Sequence, residues 1–352
     1  MKTSRTAADC SFLNVRGKTW AGLNTQEQTK IVDQAFSYWR THGFPYFRLT
    51  EKQITQEFSK LQAKDWRPVF SGRSLRSSNT GLRIANAFQP SMWKAKVHRY
   101  RSPMEVFKDD HLLRKAIERA LMIWPDRFGA NASCLRRILK TFPDTASVSN
   151  YRPMVAKAVM AKYSREGPVV DFSAGYGGRL LGALALNRSY IGIEPSRVQL
   201  AGFRRMITAL LRLKFSLPKV DVLNGVAEKE LPGLSARSAE LAFSSPPFFD
   251  WEHYSESGSQ SFKRFPDYEL WLSSFLKPVI AESYRILKKH GYLALNVTNG
   301  NRLPSEVDVR EAAKATGFKL FRIHRMVFPK VPYLHPRNGE PMKTELLMVF
   351  KK

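Results

Sequence analysis

The segment FSSPPFFDWEHYS, which begins at Phe243, places a Ser-Pro-Pro-Phe tetrapeptide directly after a short apolar run. Proline cannot continue a helix and cannot donate a hydrogen bond to a neighbouring strand, so Pro246 and Pro247 predict the end of a strand. The carbonyl groups of Ser245 and Pro246 are then held rigidly and have no local donor. The tetrapeptide therefore presents fixed hydrogen-bond acceptors to a ligand.

A second motif, VVDFSAGYGGRLLGAL, predicts a glycine-rich turn between an apolar strand and a helix. Asp171 ends the strand, and Gly175, Gly177 and Gly178 allow the backbone to turn tightly and to approach a ligand closely. The next apolar run, SYIGIEPS, ends in Glu194, where a carboxylate can accept both hydroxyl groups of a ribose. These two motifs leave a nicotinamide dinucleotide, S-adenosylmethionine and a purely structural turn all open.

From about residue 149 onward, apolar strands alternate with helices. Such alternation predicts a doubly wound α/β sheet that is mostly parallel, in which ligands bind outside the carboxyl ends of the strands. Both motifs follow strands, so we expect them at one edge of the sheet. The predicted strands are 168–172, 190–194, 220–224, 240–243, 292–297, 319–327 and 345–350, and the main helices are 178–186, 197–213, 268–288 and 305–316.

The first 148 residues predict a mainly helical region instead. Capping patterns at Asn24 or Thr25, at Thr50 and at Asp110 each open an amphipathic stretch. We therefore expect two domains, a helical one at 1–148 and an α/β one at 149–352.

Positive charge is the strongest feature of the composition. Lys and Arg number 57 against 30 acidic residues, which gives a net charge of +27 spread over the whole chain. The window from Trp66 to Met104 contains no acidic residue, and its cations alternate with aromatic side chains. This pattern favours a nucleic-acid backbone with unstacked bases over a solvated basic face with a few core aromatics. The cations are Arg67, Arg73, Arg76, Arg83, Lys94, Lys96, Arg99 and Arg101, and the aromatics are Trp66, Phe70, Phe88, Trp93 and Tyr100.

Several classes of protein are disfavoured by composition. No apolar run approaches the roughly 18–20 residues that cross a bilayer, and the first residues, MKTSRTAADCSFLNVRGK, lack the apolar core of a secretory signal. Only Cys10 and Cys134 occur, which suits a reducing compartment. No histidine has metal-ligand spacing to other ligating residues. The chain is predicted to be intracellular and cytoplasmic, without a metal or a membrane partner.

The motifs from residue 149 to 352 resemble the S-adenosylmethionine-dependent amino-group DNA methyltransferases. In that family a glycine loop after the first strand and an acid after the second bind the methyl donor, and a [Asp/Asn/Ser]-Pro-Pro-[Tyr/Phe] tetrapeptide after the fourth binds the target base. The segment SNYRPMVAKAVMAKY is similar to the family's helix beside the methionine part of the cofactor. The resemblance implies cofactor contacts from Asp171, Ser173, Gly175, Gly177, Glu194, Asn224, Ser244, Tyr151 and Pro153, and catalytic roles for Ser245, Pro246, Pro247 and Phe248.

The implied chemistry explains the residue types. An exocyclic amino nitrogen is a poor nucleophile because its lone pair is delocalised into the base. The side chain of Ser245 and the carbonyl of Pro246 can accept its two N–H groups and direct the lone pair at the methyl group of the cofactor. Phe248 can stack on the extruded base, a contact worth roughly 1–3 kcal/mol that partly offsets the cost of extrusion.

The resemblance leaves the target open. Serine at position 245 favours N4 of cytosine in DNA, with N6 of adenine as the alternative and an RNA base as a third. Methylation at carbon 5 of cytosine is excluded, because neither cysteine lies in the α/β region. A non-catalytic DNA-binding subunit is the alternative from another class, and the intact motifs oppose it. A restriction partner is one biological setting among several that the sequence leaves open.

Two features depart from the family pattern. The glycine loop begins Asp171-Phe172-Ser173 where many members have Asp-Pro-Phe, and the third strand is followed by Asn224 and Glu228 in place of the Asp that meets the cofactor adenine. Target recognition is assigned to the basic N-terminal region or to the segment 328–341. Beside the tetrapeptide, we expect Trp251 to stack on the base and His253 to contact a phosphate or act as a base.

Overall fold

A computed structural model describes residues 20–124, 130–298, 304–327 and 345–352. The segment 328–341 and Cys10, both considered above, lie outside the described residues. The helices are α1 (Thr25–His42), α2 (Glu51–Ala63), α3 (Leu82–Ala87), α4 (Pro103–Lys108), α5 (Asp110–Ile123), α6 (Ala132–Thr141), α7 (Pro153–Tyr163), α8 (Gly178–Ala185), α9 (Arg197–Arg212), α10 (Ala227–Glu230), α11 (Ser261–Arg264), α12 (Tyr268–Trp271), α13 (Lys277–Ile286) and α14 (Glu306–Thr316). The strands are β1 (Phe70–Ser71), β2 (Ser74–Arg76), β3 (Lys96–Val97), β4 (Val169–Asp171), β5 (Tyr190–Ile193), β6 (Val220–Leu223), β7 (Ala239–Ser244), β8 (Glu252–His253), β9 (Leu287–Thr298), β10 (Lys319–Val327) and β11 (Glu345–Lys351).

The chain forms two compact units, and they differ from the predicted split. The first unit contains Met1–Thr50 and Pro90–Val148, and the second contains Glu51–Gln89 together with Ser149–Lys352. The prediction of a division at 148/149 placed Glu51–Gln89 in the helical domain, whereas this segment belongs to the unit that contains the sheet.

The first unit is mainly helical. The capping box predicted at Asn24 is present: its side chain accepts from the backbone of Glu27, whose carboxylate accepts from the Asn24 backbone. α5 is capped by Asp109, one residue earlier than expected. Trp39 is buried in this unit and donates its indole N–H to the carbonyl of Ala130 at 2.9 Å. No helix within the described ranges is both long enough and apolar enough to cross a membrane.

The second unit is built on one sheet. Nine strands of the described residues pair in the order β1-β2-β10-β11-β9-β7-β4-β5-β6. β4, β5, β6, β7 and β9 are parallel, and β11 is antiparallel to both β9 and β10. The chain steps outward from β4 to β6 and then returns to β7 on the other side of β4, which creates a topological switch point for ligand binding. The predicted Rossmann-like α/β class is confirmed, and all seven predicted strands are present.

Two short strands from the basic window, β1 and β2, and the preceding helix α2 complete this sheet unit. β2 pairs in parallel with β10, which raises the strand count from seven to nine. The end of α2 is held by Lys157 of α7, whose buried ammonium group donates to the carbonyls of Leu61, Gln62 and Lys64 at 2.6–2.9 Å. Because an unpaired buried ammonium is costly, this contact ties the segment firmly to the sheet unit.

Candidate active site

Asp171 lies at the carboxyl end of β4 and is fully buried. One carboxylate oxygen accepts from Arg179 Nε at 2.7 Å and from the Tyr190 hydroxyl at 2.6 Å. The other accepts from the Ser244 hydroxyl at 2.8 Å and from the Ser173 N–H at 3.3 Å. These four donors hold the carboxylate in place beneath the glycine loop. Asp171 and Ser244 thereby position the loop, and the cofactor contact expected of Asp171 stays a prediction.

Arg179, on the first turns of α8, joins this network to the Ser-Pro-Pro-Phe tetrapeptide. Its Nη1 donates to Ser245 Oγ at 2.9 Å, and its Nη2 donates to the carbonyl of Ser173. Burial lowers the pKa of this guanidinium, but the adjacent Asp171 outweighs that effect, so the pKa is raised overall. Arg179 was not singled out from the sequence. The available signal was a lone charge in the apolar helix RLLGALAL, since a buried charge requires a partner.

The glycine loop combines one open position with closely packed ones. Gly175 and Gly177 have positive φ values of 59° and 78°. A side chain at Gly177 would collide with Phe203 at 2.8 Å, and one at Gly178 with the Tyr151 carbonyl at 1.8 Å. At Gly175 the nearest atom to an added Cβ is the Ser173 carbonyl oxygen at 3.6 Å, so the backbone there can be approached by a ligand.

Asn150 clamps this loop, a role that the sequence analysis missed. Its side chain accepts from the Gly178 N–H at 3.0 Å and donates to the carbonyl of Tyr176 at 2.9 Å. Pro153 is buried at the start of α7, where an added Cβ at Gly182 would lie 2.8 Å from the Pro153 carbonyl oxygen. Pro153 thus contributes packing between α7 and α8.

Glu194 ends β5 and points back toward the glycine loop. Its carboxylate accepts from the backbone N–H groups of Gly175 and Ser196, both at 2.9 Å. With its amide nitrogen turned toward this carboxylate, Gln199 donates to both oxygens at 3.0 and 2.6 Å. Burial raises the pKa of Glu194 to about 8, although the backbone donors act in the opposite direction. A carboxyl group beside an open glycine suits the recognition of a ribose.

The residues after β6 are less suited to a direct cofactor contact. The amide nitrogen of Asn224 donates to the carbonyls of Glu194 and Pro195 at 3.2 and 3.1 Å, so it ties two strand ends together. Glu228 forms an ion pair with Arg264, while its second carboxylate oxygen is buried with no partner among the described residues. Of Asn224 and Glu228, it is therefore Glu228 that keeps a carboxylate oxygen able to accept a hydrogen bond from a ligand.

The tetrapeptide follows β7 at the same sheet edge. Ser245, Pro247 and Phe248 are half-buried and Pro246 is buried. The next residue, Phe249, packs its ring against Tyr268 and Trp271 with centroid distances of 5.4 and 5.8 Å. None of the ring contacts between described residues involves Phe248. Phe249 therefore anchors the loop, while Phe248 is half-buried and makes no aromatic contact among the described residues.

The aromatic loop beyond the tetrapeptide is locally ordered by its own contacts. The backbone N–H of Trp251 donates to the Phe248 carbonyl at 2.7 Å. The His253 ring contacts the Asp250 carbonyl through Nε2 at 2.8 Å and stacks on Phe262 at 4.6 Å. These contacts favour a structural role for His253 over that of a base. No group of three or more potential metal ligands occurs among the residues that the structure describes.

The seven basic residues predicted to bind nucleic acid are all exposed, and they are divided between the two units. Arg73, Arg76 and Arg83 belong to the sheet unit, and Lys94, Lys96, Arg99 and Arg101 to the helical unit. Lys96 already pairs with Glu105 at 2.7 Å. In the same window, Trp93 is 1% exposed and packs against Phe44, so it is a core residue and cannot stack on a base.

The position of Arg76 relative to the site follows from the directions of the strands in the sheet. β2 runs parallel to β10, and β10 and β9 are both antiparallel to β11, so β2 points in the same direction as β7 and β4. Arg76 ends β2 and therefore lies at the carboxyl edge that carries the glycine loop and Ser245. The following loop reaches the start of α7, where Arg152 donates to Asn79.

Comparisons with known proteins add little to this geometry. No protein-family model matches the chain, and no curated protein matches it. The chain is similar to the solved structure of precorrin-6y C5,15-methyltransferase from Geobacter metallireducens, at 16% identity over 56% of this chain and 88% of that one, with a TM-score of 0.37. It is also similar to a SAM-dependent methyltransferase from Methanosarcina mazei, at 15% identity over 55% and 96% of the two chains, with a TM-score of 0.37.

A third similar structure is 1,6-didemethyltoxoflavin-N1-methyltransferase from Burkholderia thailandensis, which holds S-adenosylhomocysteine. The identity is 15% over 56% of this chain and 76% of that one, with a TM-score of 0.36. Similarity at this level carries no argument about the reaction, so the fold class rests on the strand order and the function on the site.

Replacing Arg179 by alanine should strongly destabilise the protein. It would leave Asp171 buried and uncompensated, which typically costs about 3–5 kcal/mol of unfolding free energy. Arg310→Ala is the matched control, because its ion pair with Glu306 is solvent-exposed and should contribute less than about 1 kcal/mol. Urea denaturation measures both. Equal stabilities of the two variants would contradict the central role of Arg179.

Glu194 should make stability depend on pH. Burial raises its pKa to about 8 in the folded protein, against an ordinary value of 4.5. The folded state therefore holds a proton that the unfolded state releases, and the stabilisation present below pH 4.5 is lost as pH rises through 8. The unfolding free energy of the wild type relative to Glu194→Gln should fall by up to about 1.4 kcal/mol per pH unit in this window. A difference that stays constant from pH 5 to 9 would refute this assignment.

Proposed function

We propose that this chain is an S-adenosylmethionine-dependent methyltransferase that modifies the exocyclic amino group of a nucleic-acid base, with N4 of cytosine in DNA as the preferred target. One observation carries the proposal. The guanidinium of Arg179 contacts both Asp171, which fixes the glycine loop, and Ser245, which begins the tetrapeptide. A site for a methyl donor and a site for an amino acceptor are thus joined through one rigid group.

The residues on the glycine-loop side fit S-adenosylmethionine. Gly175 is open to close approach, and the Glu194 carboxyl group lies beside it to accept ribose hydroxyls. When bound, this cofactor supplies an electrophilic methyl group. The buried Asp171, Asn150 and Ser244 keep the loop in place, so the loop is organised before the ligand arrives.

Ser245 can act as a fixed acceptor on the other side. A hydroxyl oxygen has two lone pairs, and Arg179 occupies one of them. The other remains for one N–H of the target amino group, and we assign the second N–H to the Pro246 carbonyl. Accepting both N–H groups draws the nitrogen toward a tetrahedral geometry and exposes its lone pair to the methyl group. The residues therefore act by orientation and by aimed dipoles.

Two further features favour a nucleic-acid base over a small molecule. Phe248 follows Ser245 by three residues and has no aromatic partner among the described residues, so a planar base can serve as its stacking partner. Arg76 and Arg83 are exposed, and Arg76 ends a strand at the carboxyl edge of the sheet. With a net charge of +27, the chain is suited to a polyanionic substrate. N6 of adenine remains the alternative target, since it presents the same amino group.

Replacing Ser245 by alanine should slow methyl transfer by about 10²–10³, because one preorganised partner of the reacting nitrogen is lost. Binding of S-adenosylhomocysteine should be retained, since Ser245 lies on the acceptor side. Single-turnover transfer of a labelled methyl group to DNA measures the rate, and calorimetry measures the binding.

Ser238→Ala is the matched control for this test. Ser238 lies immediately before β7, at the opposite end from Ser245, and its hydroxyl donates to the Ser235 carbonyl. This variant should transfer the methyl group at the wild-type rate. A Ser245→Ala protein with an undiminished single-turnover rate would rule out the amino-group mechanism.

A further inference from the structure

A cluster of buried polar atoms without partners lies at the carboxyl end of β9, beside the amino end of β11. Asn296 and Thr298 are each 3% exposed, yet Asn296 Oδ1 and the Thr298 hydroxyl have no hydrogen-bond partner among the described residues. The hydroxyl of Tyr151 is likewise buried without a partner. Buried polar groups are normally paired, so three unpaired atoms in one region indicate a site for a polar ligand.

The three side chains occupy one face of the sheet. Leu293, Leu295 and Val297 of β9 belong to the hydrophobic core on the other face. Because side chains alternate along a strand, Asn296 and Thr298 must point to the opposite face. Tyr151 lies on that face too, since its ring packs edge-on against Phe243, which is opposite Ala294 of β9.

This cluster is adjacent to Ser245. β7 and β9 are parallel with Ser244 opposite Leu295, so Ser245 and Asn296 are the next neighbours at the edge. Arg179 lies over the Tyr151 ring at 5.3 Å, and the charges of Arg179 and of Glu345 both act on the Tyr151 hydroxyl. Glu345 in turn is opposite Thr298 and accepts from the Asn296 amide nitrogen at 3.2 Å. Polar groups thus lie along this edge of the sheet from Asp171 to Glu345.

We propose that Asn296, Thr298 and Tyr151 form a subsite that reads the heterocycle edge next to the target amino group. The inference rests on the proposed function. The hydroxyl of Thr298 or of Tyr151 can donate to the ring nitrogen next to the amino group, whose two N–H groups are assigned to Ser245 and Pro246. Asn296 Oδ1 lies beside Ser245 as an unpaired acceptor, and it disfavours a carbonyl oxygen in place of the amino group.

Such a subsite selects bases by their donor and acceptor pattern. Cytosine and adenine both carry an amino donor next to a ring-nitrogen acceptor. Uracil and guanine present a carbonyl acceptor next to a ring N–H donor, which is the reverse pattern. The cluster therefore contributes to the choice of base, while the tetrapeptide holds the reacting nitrogen.

The test combines isosteric variants with substrates that lack the ring nitrogen. Thr298→Val and Tyr151→Phe, singly and together, are compared with wild type on oligonucleotides that carry cytosine or 3-deazacytosine, and adenine or 1-deazaadenine. For wild type, the deaza base should lower kcat/KM about ten- to a hundredfold. The double variant should show the same loss on the ordinary base and no further loss on the deaza base. Ser283→Ala, which removes a buried hydroxyl within α13, is the control and should match wild type.

Binding of S-adenosylhomocysteine separates recognition from damage to the fold, and it should be unchanged in Thr298→Val and in Ser283→Ala. It should also be unchanged in Tyr151→Phe, which removes only the hydroxyl group, and a loss there would assign Tyr151 to the cofactor and overturn its place in the subsite. If the double variant lost further activity on the deaza base, so that the two losses multiplied, the subsite would be overturned while the proposed function stands. Variants with full activity on the ordinary base would overturn it in the same way. Failure of the wild type to methylate any ordinary base would overturn both proposals.

Discussion

The buried ion pair between Asp171 and Arg179 is the interaction on which the rest of the site depends. The two side chains are 0% and 5% exposed, so neither charge is solvated by water. A buried pair of this kind is tolerated only when its remaining donors and acceptors are satisfied. That requirement is met by Tyr190, Ser244, Ser173 and Ser245, which together come from β5, β7 and the two loops that form the site.

The sheet determines what this pair can connect. β4 and β7 are neighbours although two other strands separate them along the chain, and the loops after them meet at the switch point. Arg179 spans that point. On the β5 side lie Gly175 and Glu194, which fit a ribose-bearing cofactor, and on the β9 side lie Asn296 and Thr298, which have unpaired polar atoms. Loss of the ion pair would therefore disturb both halves of the site together.

Much of this arrangement could be predicted because its signals are local. Seven strands followed from apolar runs bounded by turn residues, and the glycine loop, Glu194 and Ser245 each stand directly after a strand. The contribution of β1 and β2 could not be predicted, since two- and three-residue strands leave no periodic pattern. Their place is fixed by pairing with β10 and by the capping of α2 by Lys157, which are contacts distant in sequence. The four donors of Asp171 could not be predicted for the same reason, because they meet only once the strands are assembled.

The central claim is that this edge brings a methyl donor to the amino group of a base. The most direct measurement is to incubate the protein with S-adenosylmethionine labelled in the methyl group and with DNA, to digest the DNA to nucleosides, and to identify the labelled nucleoside by mass. The account predicts label in N4-methylcytosine, and label in N6-methyladenine would keep the mechanism with the alternative target. Label on carbon 5 of cytosine, or no labelled nucleoside from DNA or from RNA, would contradict it.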